Sequence, residues 1–294
     1  MELVTLAVLR ASNYVLIAVG FALVFGSLRI LNLMHGSFVM LGAYGTYFFA
    51  TALARGDNGG ASPGIAGGSV LLAAIATSLI GWAFFKGLQL TKRTAPRHVL
   101  GIAVAGNLLV AQVLQYLYGT EGLNVAPILR GSTAVAGVTV SVNDLLIPPA
   151  ALAAVLGLWL WLGYTHSGRA LRAVADDPQG AKLAGISADR ALAGAVGIAA
   201  LLAGLAGGLT APSQILAPDM WVHPLLVSFA VVVFGGRGSI WGAVGSAAFL
   251  GLSETMTSWY WSEAAAQYVA LLVIVVGLVV APTGLARGAQ HDVR

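Results

Sequence analysis

Hydrophobic residues in this chain come in long blocks, not in the short alternations of a half-buried sheet. Apolar runs occupy about 11–28, 37–54, 69–90, 99–118, 145–164, 191–211, 223–234, 242–258 and 265–281. Several reach the ~20 residues that cover a ~30 Å hydrocarbon core as a helix. Two differ: 223–234 is short, and 242–258 opens on Gly242, Gly245 and Ser246, so either is a candidate broken or re-entrant element. The pattern predicts an all-α polytopic membrane protein with about 8–10 transmembrane helices, several of them glycine-interrupted, in one domain over 1–294.

Composition makes the alternative untenable. Of 294 residues, 58% are hydrophobic and only 9% charged, against about a quarter charged in soluble domains. That is too little charge to clothe a soluble surface around so large a core, and a soluble enzyme or disordered chain is excluded. With no cysteine, disulfides, thiolate catalysis and Cys-based metal sites drop out. The start MELVTLAVLR has Glu2, no basic n-region and no small-residue cleavage site, and reads as the lead-in to a first membrane helix.

The net charge of +4 matters through its placement. Bases gather in Lys86–Arg97 and Arg169–Arg190, two spans apart, as expected of loops on the cytoplasmic side. The loop 119–144 then lies outside with Arg130 as its only base, the N-terminus outside, and the tail with Arg287 and Arg294 inside; Arg10 opposes this mildly. In 119–144, Val135, Val138, Val140 and Val142 alternate around Gly137, which fits a short hairpin or, the preferred reading, an ordered connector. Residues 55–68 form a glycine-rich loop.

Four segments carry candidate chemistry. In GSLRILNLMHGSFVMLGAYG (26–45), Asn32 and His35 are three apart with Ser37 close by. Polar groups beside apolar runs are costly to bury alone, so they either line a substrate path or brace the backbone where Gly36 breaks the helix, and bracing is favoured. FGGRGSIWGAVGS (234–246) repeats the theme with Gly235, Gly236, Arg237 and Ser239. Interrupted segments in both halves point to a transport pathway at a repeat interface; equally, their glycines serve close packing. HSGRALRAVADDPQGAKLAGISADRAL (166–192) is the longest hydrophilic loop. It places Ala170, Leu171, Val174 and Ala175 at helical spacing, breaks at Asp177-Pro178, and adds a short turn from Gln179 through Leu183 to Gly185-Ile186. It suits docking to another protein or a solvated connector. Glu254, beside Trp259, Tyr260 and Trp261, reads as a residue of the membrane interface. The run 193–211, with Gly194, Gly197, Gly204, Gly207 and Gly208, predicts close helix packing.

Absences narrow the class. There is no GxxxxGK[ST] for nucleotide hydrolysis and no HExxH for a zinc protease. Paired intramembrane acids for a proton relay are also lacking. Catalytic residues and metal ligands are therefore expected to be none.

The chain resembles the membrane permease subunits of bacterial ATP-binding-cassette (ABC) importers for branched-chain amino acids, and the nearby urea and amide branches. The likeness is carried by GFALVFGSLRILNLMHGSFVMLGAYG (20–45), RALRAVADDPQGAKLAGIS (169–187), AGLAGGL (203–209) with VVFGGRGSIWGAVGS (232–246), and APTGLARG (281–288). Where the family more often has an Asn-Phe-Ala-His-Gly run, this chain reads Asn32-Leu33-Met34-His35-Gly36 and keeps the polar positions. The resemblance implies an ABC importer permease fold in the bacterial inner membrane. It also implies a second related permease, two cytoplasmic ATPase subunits that bind ATP and Mg, and a soluble substrate-binding protein, with no cofactor on this chain. It assigns Arg172, Ala175, Asp176, Ala181, Gly185 and Ile186, in a cytoplasmic loop over about 165–190, to coupling with the ATPases. Asn32, His35, Ser37, Gly235, Gly236 and Ser239 are the candidates for the translocation path. The alternatives are transport of urea or short amides, a stand-alone channel or ion-driven carrier, and an assembly factor.

Overall fold

The computed structural model describes residues 1–28, 32–54, 62–91, 95–236 and 238–280. Arg237, Lys92, Arg93, residues 55–61, the 281–288 ending and the bases of the tail lie outside the described residues; the second half of the expected 55–68 loop is helical, Pro63 opening a helix behind the Ser62 cap. The helices are α1 (Glu2–Leu28), α2 (His35–Leu53), α3 (Pro63–Leu90), α4 (Pro96–Tyr118), α5 (Ile147–Tyr164), α6 (His166–Asp176), α7 (Pro178–Leu183), α8 (Ala188–Thr210), α9 (Val222–Gly235), α10 (Ile240–Tyr260), α11 (Glu263–Ala266) and α12 (Val269–Val280). The apolar runs fall in order on α1, α2, α3, α4, α5, α8, α9, α10 and the α11–α12 pair.

Among the described residues, five helices are long and apolar enough to cross a membrane, or six if the bent α9–α10 pair is one span. Fewer helices meet that standard than there are apolar runs, for identifiable reasons. The 19 residues of α2 carry His35, Ser37, Thr46 and Thr51 among glycines. At 14 and 12 residues, α9 and α12 are short.

The segment after α4 folds as a hairpin, β1 (Ser132–Val135) with β2 (Val138–Ser141), not as a plain connector. Val135 pairs with Val138, and the two-residue turn places Ala136 at φ 52° and Gly137 at φ 95°. Positive φ at both positions is the turn whose twist matches antiparallel strands. Asn143, fully buried, ties the hairpin to the bundle by accepting from Ile128 N–H at 3.1 Å and donating to the Leu209 carbonyl at 3.2 Å.

The small-residue stripe of α8 is the centre of the packing, touching α1, α2 and α3. A Cβ on Gly207 would collide with the Val39 carbonyl, one on Gly42 with the Gly204 backbone, and one on Gly20 would sit 2.8 Å from the Ala199 carbonyl oxygen. Helices without side chains between them gain dispersion contacts that lipid cannot match. Hydroxyls inside the bundle bond their own helix: Thr46, Thr77 and Thr210 each donate at 2.8 Å to the carbonyl four residues back.

Depth can be read along α1, whose 27 residues span roughly 40 Å at 1.5 Å per residue. Its start lies at the hairpin end, where Glu2 Oε1 would be 2.9 Å from a Cβ on Gly137. Its finish lies at the opposite end, beside α6 and Gly238. Neither α2 nor α9 begins at an end. His35 Nε2 is 2.8 Å from the Ile17 carbonyl oxygen, and the His223 ring is 6.1 Å from Tyr14, so both helices start near the middle of α1. From there α2 runs to the hairpin end and α9 to the other end. The pairs α1–α2 and α8–α9 thus repeat one design upside down: a full-length helix, a return to mid-depth, then a shorter helix back.

Candidate functional site

The first mid-depth start is closed. Asn32, His35 and Ser37 are 6%, 1% and 0% exposed. Asn32 caps the break, its Oδ1 accepting from Met34 N–H at 3.2 Å and its carbonyl from His35 N–H at 3.2 Å. His35 also meets Phe21 edge-on at 5.3 Å. Ser37 donates to Asn107 Oδ1, and Asn107 Nδ2 donates to the Leu33 carbonyl at 2.6 Å. These contacts brace the broken backbone. The sequence reading missed Asn107, although a lone Asn inside an apolar span is itself a signal.

Gly235, Gly236 and Ser239 are not beside these three. They form the reversal between α9 and α10 at the non-hairpin end. A Cβ on Gly235 would strike the Gly242 carbonyl, Gly236 has φ 89°, and Ser239 caps α10 by accepting from Gly242 N–H at 2.9 Å. In the described structure, the counterpart of the α2 break is residues 211–221. That stretch lacks the glycine cluster and is marked by Pro212 and Pro218.

The second mid-depth start is open. Trp221 precedes α9 with no side-chain cap, and its carbonyl abuts Gly36, where a Cβ would collide with it. Residues 211–221 are held in place by a two-way backbone pairing of Leu216 with Leu123, at 3.0 and 3.2 Å. Ser213, Gln214, Asp219 and His223 are exposed. Behind His223, Tyr14 donates to Glu254 Oε2. Glu254 is 2% exposed and therefore not an interface residue. It shares the α10 face of Ala247, Leu250 and Gly251, all buried, and Gly251 packs directly on Ala11 of α1. Of the hydroxyls beside it in sequence, Thr255 is buried with it, and Ser253 and Thr257 are half-buried and bond carbonyls of their own helix. Arg10 Nη2 bonds Glu263 Oε1 at 2.6 Å, which neutralises the one base that opposed the charge pattern.

At the non-hairpin end, α6 and α7 make an elbow. Thr165 caps α6 by accepting from Gly168 N–H at 3.0 Å, and Gly168 lies against the Trp161 carbonyl. Leu171 and Val174 are buried, while Arg172 and Asp176 are exposed and Ala175 is half-buried. Asp177 Oδ1 accepts from Gln179 N–H at 3.0 Å, starting α7 over Pro178. The finish is a Schellman motif: Ile186 N–H to the Ala181 carbonyl at 2.9 Å, Gly185 N–H to that of Lys182 at 3.0 Å, with Gly185 at φ 78°. Ala181 is buried, but Leu183 stands 90% exposed, an apolar knob outside the residues assigned to coupling.

A family model described as "Branched-chain amino acid transport system / permease component" matches residues 3–280. The high-affinity branched-chain amino acid transport system permease protein LivH of Escherichia coli strain K12 is 29% identical over 289 residues, 93% of this chain and 91% of that protein. The corresponding BraD of Pseudomonas aeruginosa is 27% identical over 286 residues, with the same coverage of 93% and 91%. In fold, the chain is similar to one in the solved structure of PsaBC from Streptococcus pneumoniae in complex with Fab. The TM-score is 0.52 at 15% identity, over 96% of this chain and 93% of that one.

Proposed function

Because the chain belongs to the branched-chain amino acid transport permease family, we propose that it is the permease subunit of an ABC importer for branched-chain amino acids. It works in the bacterial inner membrane with the hairpin end outside and the elbow end in the cytoplasm. A second related permease completes the path, two ATPase subunits drive it with ATP and Mg, and a soluble binding protein delivers the solute. The one observation that carries this reading is the match to the permease family over residues 3–280.

The elbow supplies the mechanical side. Leu171, in the bundle core, and the buried Val174 anchor α6 to the bundle. α7 hangs from it on the Asp177 cap and the Gly185 turn, offering Leu183 and the exposed Arg172 and Asp176 to a partner. A push on α7 reaches α5 and α8 directly, since α6 contacts both. ATP-driven closure of the ATPases would then alternate access through the path, with selectivity residing mainly in the binding protein.

The test is reconstitution of the complete importer in vesicles with labelled leucine, urea and acetamide. ATP-dependent leucine uptake is expected, and none by the permease alone. Uptake of urea or acetamide in place of leucine would move the chain to the amide branch, and gradient-driven uptake by the lone subunit would overturn the importer. Leu183→Asp and Gly185→Val should each lower ATPase association and uptake tenfold or more. Normal values in well-expressed variants would remove the elbow from the coupling role.

A further inference from the structure

Among the described residues, Glu254 is the only acid that the fold encloses. Tyr14, also buried, donates to its Oε2, but Oε1 is buried with no hydrogen-bond partner. A carboxylate shut inside a membrane bundle carries a heavy desolvation cost unless a counter-charge meets it.

A matching donor stands on α1. The Arg10 guanidinium is forked: Nη2 turns outward to Glu263 Oε1 at 2.6 Å, while Nη1 is buried with no hydrogen-bond partner. Helix packing fixes the level of that buried nitrogen. Gly26 lies against Gly238 and Ala11 against Gly251, so α1 and α10 run antiparallel in close contact. In that register Glu254 is level with residues 8–10 of α1. Arg10 shares a helix face with Tyr14, four residues on, and Tyr14 already touches Glu254. Arg10 and Glu254 also act on each other electrostatically. The two orphaned atoms, one a donor and one an acceptor, thus lie at one level of one joint. A water accepting from Nη1 and donating to Oε1 would have the two polar partners that such a site requires.

We propose that Arg10 is the counter-ion of Glu254, joined to it through one enclosed water, and that its bond to Glu263 is secondary. Glu263 is 62% exposed and also accepts from Ser258, so it loses little if Arg10 leaves; Glu254 has no such recourse. The pair locks the hairpin-end half of α1 to α10. It also accounts for a base at the end where the charge pattern disfavours one, because that charge is matched within the bundle. None of this depends on which solute the chain carries.

Thermal melts of the full-length chain in detergent provide the test. Arg10→Met keeps an apolar stem and strands Glu254, so the midpoint should fall by about 10 °C. Glu263→Gln should lower it by no more than about 3 °C, as for an exposed ion pair. Adding Glu254→Gln to Arg10→Met should return at least half of the loss, since the amide keeps an acceptor for Tyr14 without the charge. Adding Glu263→Gln instead should return none. If Arg10→Met yields no folded protein, recovery of folded Arg10→Met/Glu254→Gln replaces the midpoint as the readout. Equal small losses for Arg10→Met and Glu263→Gln would show Glu254 held as a neutral acid and overturn the proposal. A defect that Glu254→Gln does not relieve would overturn it as well. His223, whose ring is 6.1 Å from Tyr14, is the other basic group beside the joint; a loss for His223→Asn as large as for Arg10→Met would give it the role instead. Density for one ordered water between the Arg10 and Glu254 side chains in a high-resolution map supports the bridge, and a dry gap overturns it.

Discussion

His35 and His223 sit at nearly the same depth, each at the start of a shortened helix and each beside the middle of α1, yet the bundle treats them oppositely. His35 is 1% exposed, bonded to the Ile17 carbonyl and edge-on to Phe21, while Asn32, Ser37 and Asn107 brace the same break. His223 is exposed, with its polar neighbours behind it. One geometry, inverted, therefore yields a closed joint and an open one. The difference lies in what returns to mid-depth. The α2 return is sealed by amides that satisfy the broken backbone. Along the α9 return, proline removes donors, Leu123 pairs with Leu216, and the side chains of Ser213, Gln214 and Asp219 stay outside.

The sharpest way to break the comparison is Gly36→Val, which drives a side chain into the Trp221 carbonyl where the two starts meet. Backbone cannot yield as a flexible side chain does, so the loss should exceed the ~3 kcal/mol typical of overpacking, read as failure to recover folded protein in detergent. Asn107→Leu comes next. It strands the Ser37 hydroxyl and the Leu33 carbonyl, with an expected loss of ~1–3 kcal/mol in thermal melts. His35→Leu should cost about 1 kcal/mol or less, the range of single hydrogen bonds inside membrane bundles, with transport falling only in step with stability. His223→Asn is the smallest perturbation of the fold: an exposed change within about 0.5 kcal/mol. The melting curve should stay put. A melting loss for His223→Asn as large as that for Asn107→Leu would mean that both joints are closed.

Much of the architecture is legible in the residues. The apolar runs, the elbow with its Asp177-Pro178 break and Gly185 stop, and the small-residue stripe of α8 each rest on local rules of period, capping or side-chain size. Two misreadings concern what a residue faces. Glu254 looked interfacial because Trp259, Tyr260 and Trp261 stand near it in sequence, but the helix turns it inward onto Tyr14. Gly235 and Gly236 looked like the partner of the Gly36 break because glycine marks both, yet at the α9–α10 reversal glycine serves close approach and a left-handed turn. The true counterpart before α9 carries prolines and polar side chains, and a pattern search for glycine passes over it.

By itself the sequence determined that this chain lives in lipid, where its helices lie, which segments stay polar and how its bases are distributed. Those follow from hydrophobicity and backbone hydrogen bonding, which act residue by residue. Only the tertiary structure decided that two helices begin at half depth, that Tyr14 reaches Glu254 across 240 residues of chain, and that His35 is enclosed while His223 is open. Enclosure is a property of what packs against a side chain, and no local rule carries that information along the chain.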